Sequence, residues 1–163
     1  LRALEGCVDI YLPDFKYADA RLAGQLSGAA DYFPVAADAI REMVRQTGPC
    51  AFDGDGLLTR GVVIRHLILP GQVSQAKAVM DWVAAEFGPG TVLFSLMSQY
   101  TPWGRSAEFP EIHRRLRAGE MRAAAEYMAN LGLEGFTQER TSAQREYTPP
   151  FDLTGVAGEG GAL

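Results

Sequence analysis

Apolar residues along this chain fall into three short runs, separated by longer stretches in which they recur every three or four positions. The runs are Val8-Asp9-Ile10-Tyr11-Leu12-Pro13, then Gly61-Val62-Val63-Ile64-Arg65-His66-Leu67-Ile68-Leu69-Pro70, then Val92-Leu93-Phe94-Ser95-Leu96-Met97. Their length and β-branched content predict strands over about 8–15, 60–71 and 91–98. The second is nearly all apolar, as expected of a strand covered on both faces. Helical spacing appears in Val35, Ala36, Ala39, Ile40, Met43 and Val44 behind Pro34, with Gly48 as a stop. It returns in Ala76, Val79, Met80, Val83, Ala84 and Phe87, ended by Gly88 and Pro89, and in Met121, Ala124, Ala125, Met128 and Leu131, ended by Gly132. Shorter helices are expected over 19–26 and 110–116, and a hairpin over 50–60 around Asp53-Gly54-Asp55-Gly56. Those aspartates invite comparison with a calcium loop, but the required twelfth-position glutamate is replaced by Ile64, so a turn is expected.

Alternating strands and helices imply an α/β fold: a parallel sheet with right-handed crossovers. Three parallel strands alone leave an edge and half a core open. The expectation is therefore a set of (β/α) units from a larger barrel, with residues 1–156 as one unit and 157–163 as a flexible tail. The chain opens on Leu1 with strand material close behind, which suggests that further units precede it.

With 163 residues, 47% hydrophobic and 21% charged, the chain has the size and composition of one globular domain. Its net charge of -5 argues against a nucleic-acid surface, and the group His113, Arg114, Arg115 and Arg117 reads as a solvated face. The two cysteines, Cys7 and Cys50, lack metal-ligand spacing and read as buried, reduced thiols. No apolar run is long enough for a membrane span, so a cytoplasmic protein is expected.

Ligands in parallel α/β sheets sit beyond the carboxyl ends of the strands, so polar residues there are the first candidates for a site. The first run ends in Asp14-Phe15-Lys16, and residues two apart project from one face of a strand. A carboxylate and an ammonium over one pocket would suit a zwitterion. On the second run Arg65 and His66 must point oppositely; Arg65 is assigned to the interior and His66 to the helix side. Gln99 and Tyr100 close the third run. Asp14 and Lys16 also read as an ordinary ion pair, Arg65 and His66 as structural, and Tyr100 and Trp103 as loop packing.

In order, Asp14-Phe15-Lys16, Arg65 with Leu69-Pro70-Gly71, Met97-Ser98-Gln99-Tyr100, and Tyr147-Thr148-Pro149-Pro150-Phe151-Asp152 resemble the second half of radical S-adenosylmethionine (radical SAM) proteins. The nearest group is the pyruvate formate-lyase activating enzymes and their homologues. The resemblance implies the C-terminal half of a partial TIM-like (β/α)6 barrel. It also implies a 4Fe-4S cluster and SAM as cofactors of the full-length protein, with reductive cleavage of SAM to a 5′-deoxyadenosyl radical. That radical would abstract hydrogen from a protein or peptide such as a glycyl radical enzyme, with a flavodoxin or ferredoxin as electron donor. By the same resemblance Asp14 and Lys16 lie at the SAM polar end, Asp14 also as a monovalent cation ligand. Gln99 and Tyr100 lie on the SAM side, and Arg65 and His66 contact SAM or substrate. The cluster's Cys-x3-Cys-x2-Cys loop and a Gly-Gly-Glu type motif are absent, and Thr101 stands where the activating enzymes place a histidine. The chain alone is thus expected to hold no cluster and to be inactive. Two rivals are a Schiff-base barrel lyase or aldolase using Lys16, and a non-catalytic half-barrel that pairs with itself or a partner.

Overall fold

The structure, a computed structural model, describes residues 1–138. Its sheet is built on β3 (Leu58–Leu67), the longest strand. Beside it lie β1 (Ile10–Tyr11) on one edge and β4 (Leu93–Met97) on the other, both parallel, and β5 (Gly135–Gln138) lies parallel to β4. A short β2 (Ala51–Phe52) pairs antiparallel with the beginning of β3. Between the parallel strands run α1 (Ala20–Ser27), α2 (Tyr32–Thr47), α3 (Val73–Glu86) and α4 (Ala118–Asn130). The path β1-β3-β4-β5 never reverses, and among the described residues its two ends do not meet, so the sheet they form is open.

Strand alternation decides what each face carries. Val62, Ile64 and His66 of β3, level with Phe94 and Leu96 of β4, point toward the helices. Against them pack Ala37 and Ile40 of α2, Ala76, Val79, Met80 and Val83 of α3, and Ala124 and Met128 of α4, all buried. Alanine at the contact points lets the helices approach the sheet closely. Phe15 extends this layer beyond β1, stacked on Phe33 at 5.4 Å and edge-on to Trp82 at 5.1 Å. Arg41 lies over Trp82 and reaches Glu86, joining α2 to α3. The opposite, inner face carries no helix of the described chain. Leu12 (55%) and Phe136 (48%) are exposed there, and Leu67, Leu93 and Met97 are half-buried.

Several expectations need correction. Among the described residues the parallel strands number four, because β5 follows Gly132 in a segment whose apolar content was too small to signal a strand. Residues 110–116 form turns instead of a helix, with Ile112 and His113 amides both bonded to the Phe109 carbonyl. A 3-10 helix over Gly104–Glu108 precedes them. The first strand is shorter than its apolar run, continuing past Leu12 only as an isolated bridge at Asp14. Cys7 is exposed, because it lies in the turn before β1 and not in a strand; Cys50 is half-buried. The hairpin turn is held by the Asp53 carboxylate, which accepts from the amides of Asp55 and Leu57. Residues 147–152 and 157–163 lie outside the described residues.

Gly61 marks the point where β3 passes from pairing with β2 to pairing with β1. Its φ is +138°, and a Cβ there would stand 2.8 Å from the Cys50 Sγ. Gly61→Ala is expected to lower the unfolding free energy in urea by at least ~1–3 kcal/mol. Gly54→Ala, with open space around it, should stay within about 0.5 kcal/mol.

Candidate functional site

Beyond β1 the chain stays alongside β3: the Arg65 amide donates to the Pro13 carbonyl and the Phe15 amide to the Arg65 carbonyl, each at 2.8 Å. This ladder sets Asp14 opposite Arg65 on the inner face. Their side chains meet, Arg65 Nη2 to Asp14 Oδ1 at 2.7 Å. Both are about 40% exposed, so the pair itself contributes no more than ~1 kcal/mol. Its consequence is positional. Held through Nη2, the guanidinium has its Nε buried, with no partner among the described residues.

A second such atom lies just past the end of β4. Gln99, two residues beyond β4, has its Nε2 on the Met97 sulfur at 3.5 Å, while its Oε1 is buried and meets no partner among the described residues. A buried polar atom without a partner costs about 1–3 kcal/mol. Here one is a cationic donor near the carboxyl end of β3 and the other a neutral acceptor just past the end of β4. Together they suit a ligand that offers a carboxylate or carbonyl oxygen to one and an N–H or hydroxyl to the other.

Tyr32, in the first turn of α2, fixes the backbone between Asp14 and Lys16. Its hydroxyl donates to the Asp14 carbonyl at 2.7 Å and accepts from the Lys16 amide at 3.0 Å. Burial pushes its pKa up, against the Lys16 amide, which pulls it down. Lys16 itself is exposed, and among the described residues its ammonium has no ion-pair partner. Asp14 therefore pairs with Arg65 and not with Lys16. With one Asp14 oxygen on a guanidinium, a second cation beside it is opposed by the positive charge already there.

His66 falls on the other face, 2% exposed, stacked near Phe94 and bonded through Nδ1 to the Phe15 carbonyl at 2.7 Å. A carbonyl only accepts, so Nδ1 carries the proton in the neutral ring. As a direct contact to SAM or substrate His66 is corrected by strand alternation: it holds the Asp14-Phe15-Lys16 segment from behind. Burial lowers its pKa.

Tyr100 is half-buried and burial raises its pKa, with the Ser106 hydroxyl pulling in the other direction. Ser106 is buried and bonds His113 Nδ1 at 3.1 Å, so the loop after β4 is pinned close to the strand end. The loop after β3 is pinned as well. Glu120 accepts from the Gly71 amide (2.7 Å), the Arg117 amide (2.8 Å) and Arg114 (2.7 and 2.8 Å). Arg114 first, and these amides after it, hold its carboxyl down to about 2. Sequence reasoning missed Tyr32 and Glu120. Glu120, three residues after Arg117, carried a readable signal as the acidic third residue of a helix; Tyr32 carried none.

The described residues include no group of three His, Cys, Asp or Glu able to hold a metal. The thiol of Cys50 faces the carbonyls of Val62 and Thr91. The described residues thus offer no ligand set for a 4Fe-4S cluster. No described helix is long and apolar enough to cross a membrane.

No protein-family profile matches the chain, and no solved structure matches it. Among curated proteins it is similar to the uncharacterized protein MJ0674 of Methanocaldococcus jannaschii, 27% identical over 135 residues. The match covers 82% of this chain and 35% of that protein, so the chain spans about a third of its relative's length.

The buried His66 gives a pH prediction. With its folded pKa lowered, the unfolded chain takes up a proton near pH ~6.5 that the folded chain refuses. Its contribution to stability is thus complete above that pH and is lost as pH falls below it. Unfolding free energy should drop between pH ~6.5 and ~5 by up to about 1.4 kcal/mol per unit, and His66→Gln should flatten that segment.

Proposed function

We propose that this chain is the C-terminal portion of a radical SAM protein of the activating-enzyme type, forming the rear wall of the SAM pocket in a partial (β/α) barrel. The observation that carries the reading is the pair of buried polar atoms without a partner among the described residues, Arg65 Nε on β3 and Gln99 Oε1 two residues beyond β4. Strand order without reversal and helices on one face are what a barrel segment requires.

In this reading Arg65, held by Asp14, donates through Nε to a carboxylate oxygen, either SAM's or that of an incoming peptide. The exposed Lys16 is free to swing over the same carboxylate, and Gln99 accepts from the amino group or a ribose hydroxyl. Tyr100 closes the SAM side, pinned beside Ser106. Tyr32 and His66 keep the Asp14–Lys16 backbone in place from the edge and from behind. With SAM and a 4Fe-4S cluster bound in the full-length protein, reductive cleavage of SAM would supply the radical chemistry for hydrogen abstraction from a protein or peptide, such as a glycyl radical enzyme. Cluster ligands come from outside this chain, and the electron from a flavodoxin or ferredoxin in the cytoplasm. The Schiff-base reading loses its physical ground, since Lys16 is exposed and not buried.

The native gene product, isolated anaerobically, should exceed 17.7 kDa and carry roughly four irons per chain, as one cubane requires. A native mass of 17.7 kDa without iron would overturn the proposal. In the iron-loaded protein, Arg65→Ala should weaken SAM binding by roughly 10- to 100-fold in calorimetry, as expected for losing a hydrogen bond to a charged group. Gln99→Leu should weaken it by about fivefold or more. Unchanged affinity in both variants would remove these residues from the site.

A further inference from the structure

Asp14, we propose, is an exchangeable cap on the anion-binding edge of Arg65. It holds Nη2 in this structure and yields it to the carboxylate of a ligand, which then takes Nη2 and Nε together. The charge of Asp14 thereby sets the affinity of the site. This deepens the cofactor reading and rests on it only for where a ligand sits.

Other arginines of the described chain grip a glutamate by two bonds. Arg41 holds Glu86 through Nε and Nη2, both at 2.8 Å. Arg45 holds Glu42 by the same edge at 2.8 and 2.9 Å, and Arg105 holds Glu108 by it at 2.9 and 2.8 Å. Arg114 also gives Glu120 two bonds, from its end nitrogens. Paired bonds of this kind are the strong arrangement of a guanidinium and a carboxylate. Arg65 is the exception. It meets Asp14 by a single contact, Nη2 to Oδ1 at 2.7 Å, with Nε left bare.

The backbone accounts for the shortfall. Asp14 stands directly opposite Arg65. The chain around it is fixed at the Pro13 carbonyl and the Phe15 amide, and Tyr32 fixes the Asp14 carbonyl and the Lys16 amide. An aspartate on so fixed a backbone reaches Nη2 and no further, whereas the glutamates of the two-bond pairs carry an additional methylene. Nε is meanwhile closed to any ligand, because it is buried while Asp14 holds the group. A carboxylate from outside gains that edge only when the guanidinium turns away from Asp14.

The exchange costs little. Both side chains are well exposed, so their single contact is screened and weak. A ligand carboxylate on Nε and Nη2 makes two parallel charge-assisted bonds and gives the buried Nε its partner. The displaced Asp14 keeps a cation beside it. Lys16, two residues on, is exposed, and among the described residues its ammonium has no ion-pair partner. Its three donors can serve the released aspartate and the ligand together. Until the exchange, Asp14 cancels the charge of Arg65 and repels an approaching anion. Its negative charge therefore opposes the binding of a carboxylate.

The test is a titration of the native gene product with acetate, followed by NMR on protein made with nitrogen-isotope-labelled arginine. The Arg65 Nε–H resonance is assigned by its loss in Arg65→Lys, and acetate should shift it. Asp14→Asn, which keeps the shape and loses the charge, should tighten acetate binding about fivefold. Asp14→Glu should weaken it by a similar factor, because the longer carboxylate can take Nε and Nη2 as Glu86 does on Arg41. Weaker or unchanged binding in Asp14→Asn would overturn the inference and leave Asp14 as a holder of Arg65. Binding in Asp14→Glu as tight as in the unaltered protein would overturn it too, as would a resonance that acetate moves in none of these proteins. Acetate requires neither iron nor SAM, so this outcome and the iron and SAM measurements stand or fall separately.

Discussion

The register of β3 between its two parallel neighbours governs everything else in the molecule. Ile10 opposite Gly61 and Val63 opposite Leu93 send Val62, Ile64 and His66 into the helix layer and Val63, Arg65 and Leu67 to the inner face. A one-residue slip would exchange the two sets, placing a guanidinium among Val79, Met80 and Val83. Charge burial of that kind costs several kcal/mol, so the polar end of the inner face is protected by the same packing that forms the core. The stability of the helix layer and the position of Arg65 are one constraint seen from two sides.

That constraint gives the strand ends their particular chemistry. Asp14 does little for stability by pairing with a half-exposed arginine; it holds Nη2 of the guanidinium while Nε is left buried and without a partner among the described residues. Around it the supports are neutral and short: a tyrosine hydroxyl across Asp14 and Lys16, a histidine ring against the Phe15 carbonyl, a serine at the loop after β4. One carboxylate, Glu120, ties the loop after β3 to the start of α4. The loops next to the candidate site are therefore pinned at identifiable atoms.

Much of this was legible in the chain because period and punctuation agree. Val35 to Val44 and Ala76 to Phe87 repeat at helical spacing between proline and glycine stops, and both helices form there. The crowded apolar run around Ile64 becomes the central strand, and its alternation alone separates Arg65 from His66. Residues 110–116 misled because their charged composition suits a helix, whereas Arg114 is drawn to Glu120 and the amides of Ile112 and His113 turn back on Phe109. The strand at Gly135 was hidden because its pairing with Phe94 is a tertiary fact with little local signal. For the site, Asp14, Arg65 and Gln99 were visible as strand-end polar residues. Their partners were not: the Asp14–Arg65 pair bridges 51 positions, and Tyr32 acts through a hydroxyl that nothing nearby in sequence announces.

The spacing of those pairings also bears on how the chain reaches its fold. Every parallel contact joins distant segments, Ile10 to Gly61, Val63 to Leu93, Phe94 to Gly135, and each carries the entropy of closing a long loop. Among the described strands only β2 and the start of β3 are neighbours in sequence, joined by a turn that Asp53 closes on itself. A hairpin of this kind forms in ~1–10 μs, well ahead of any crossover. It is thus the sheet contact of the described residues with the least loop entropy to close, and Gly61 is where that local pairing gives way to long-range ones.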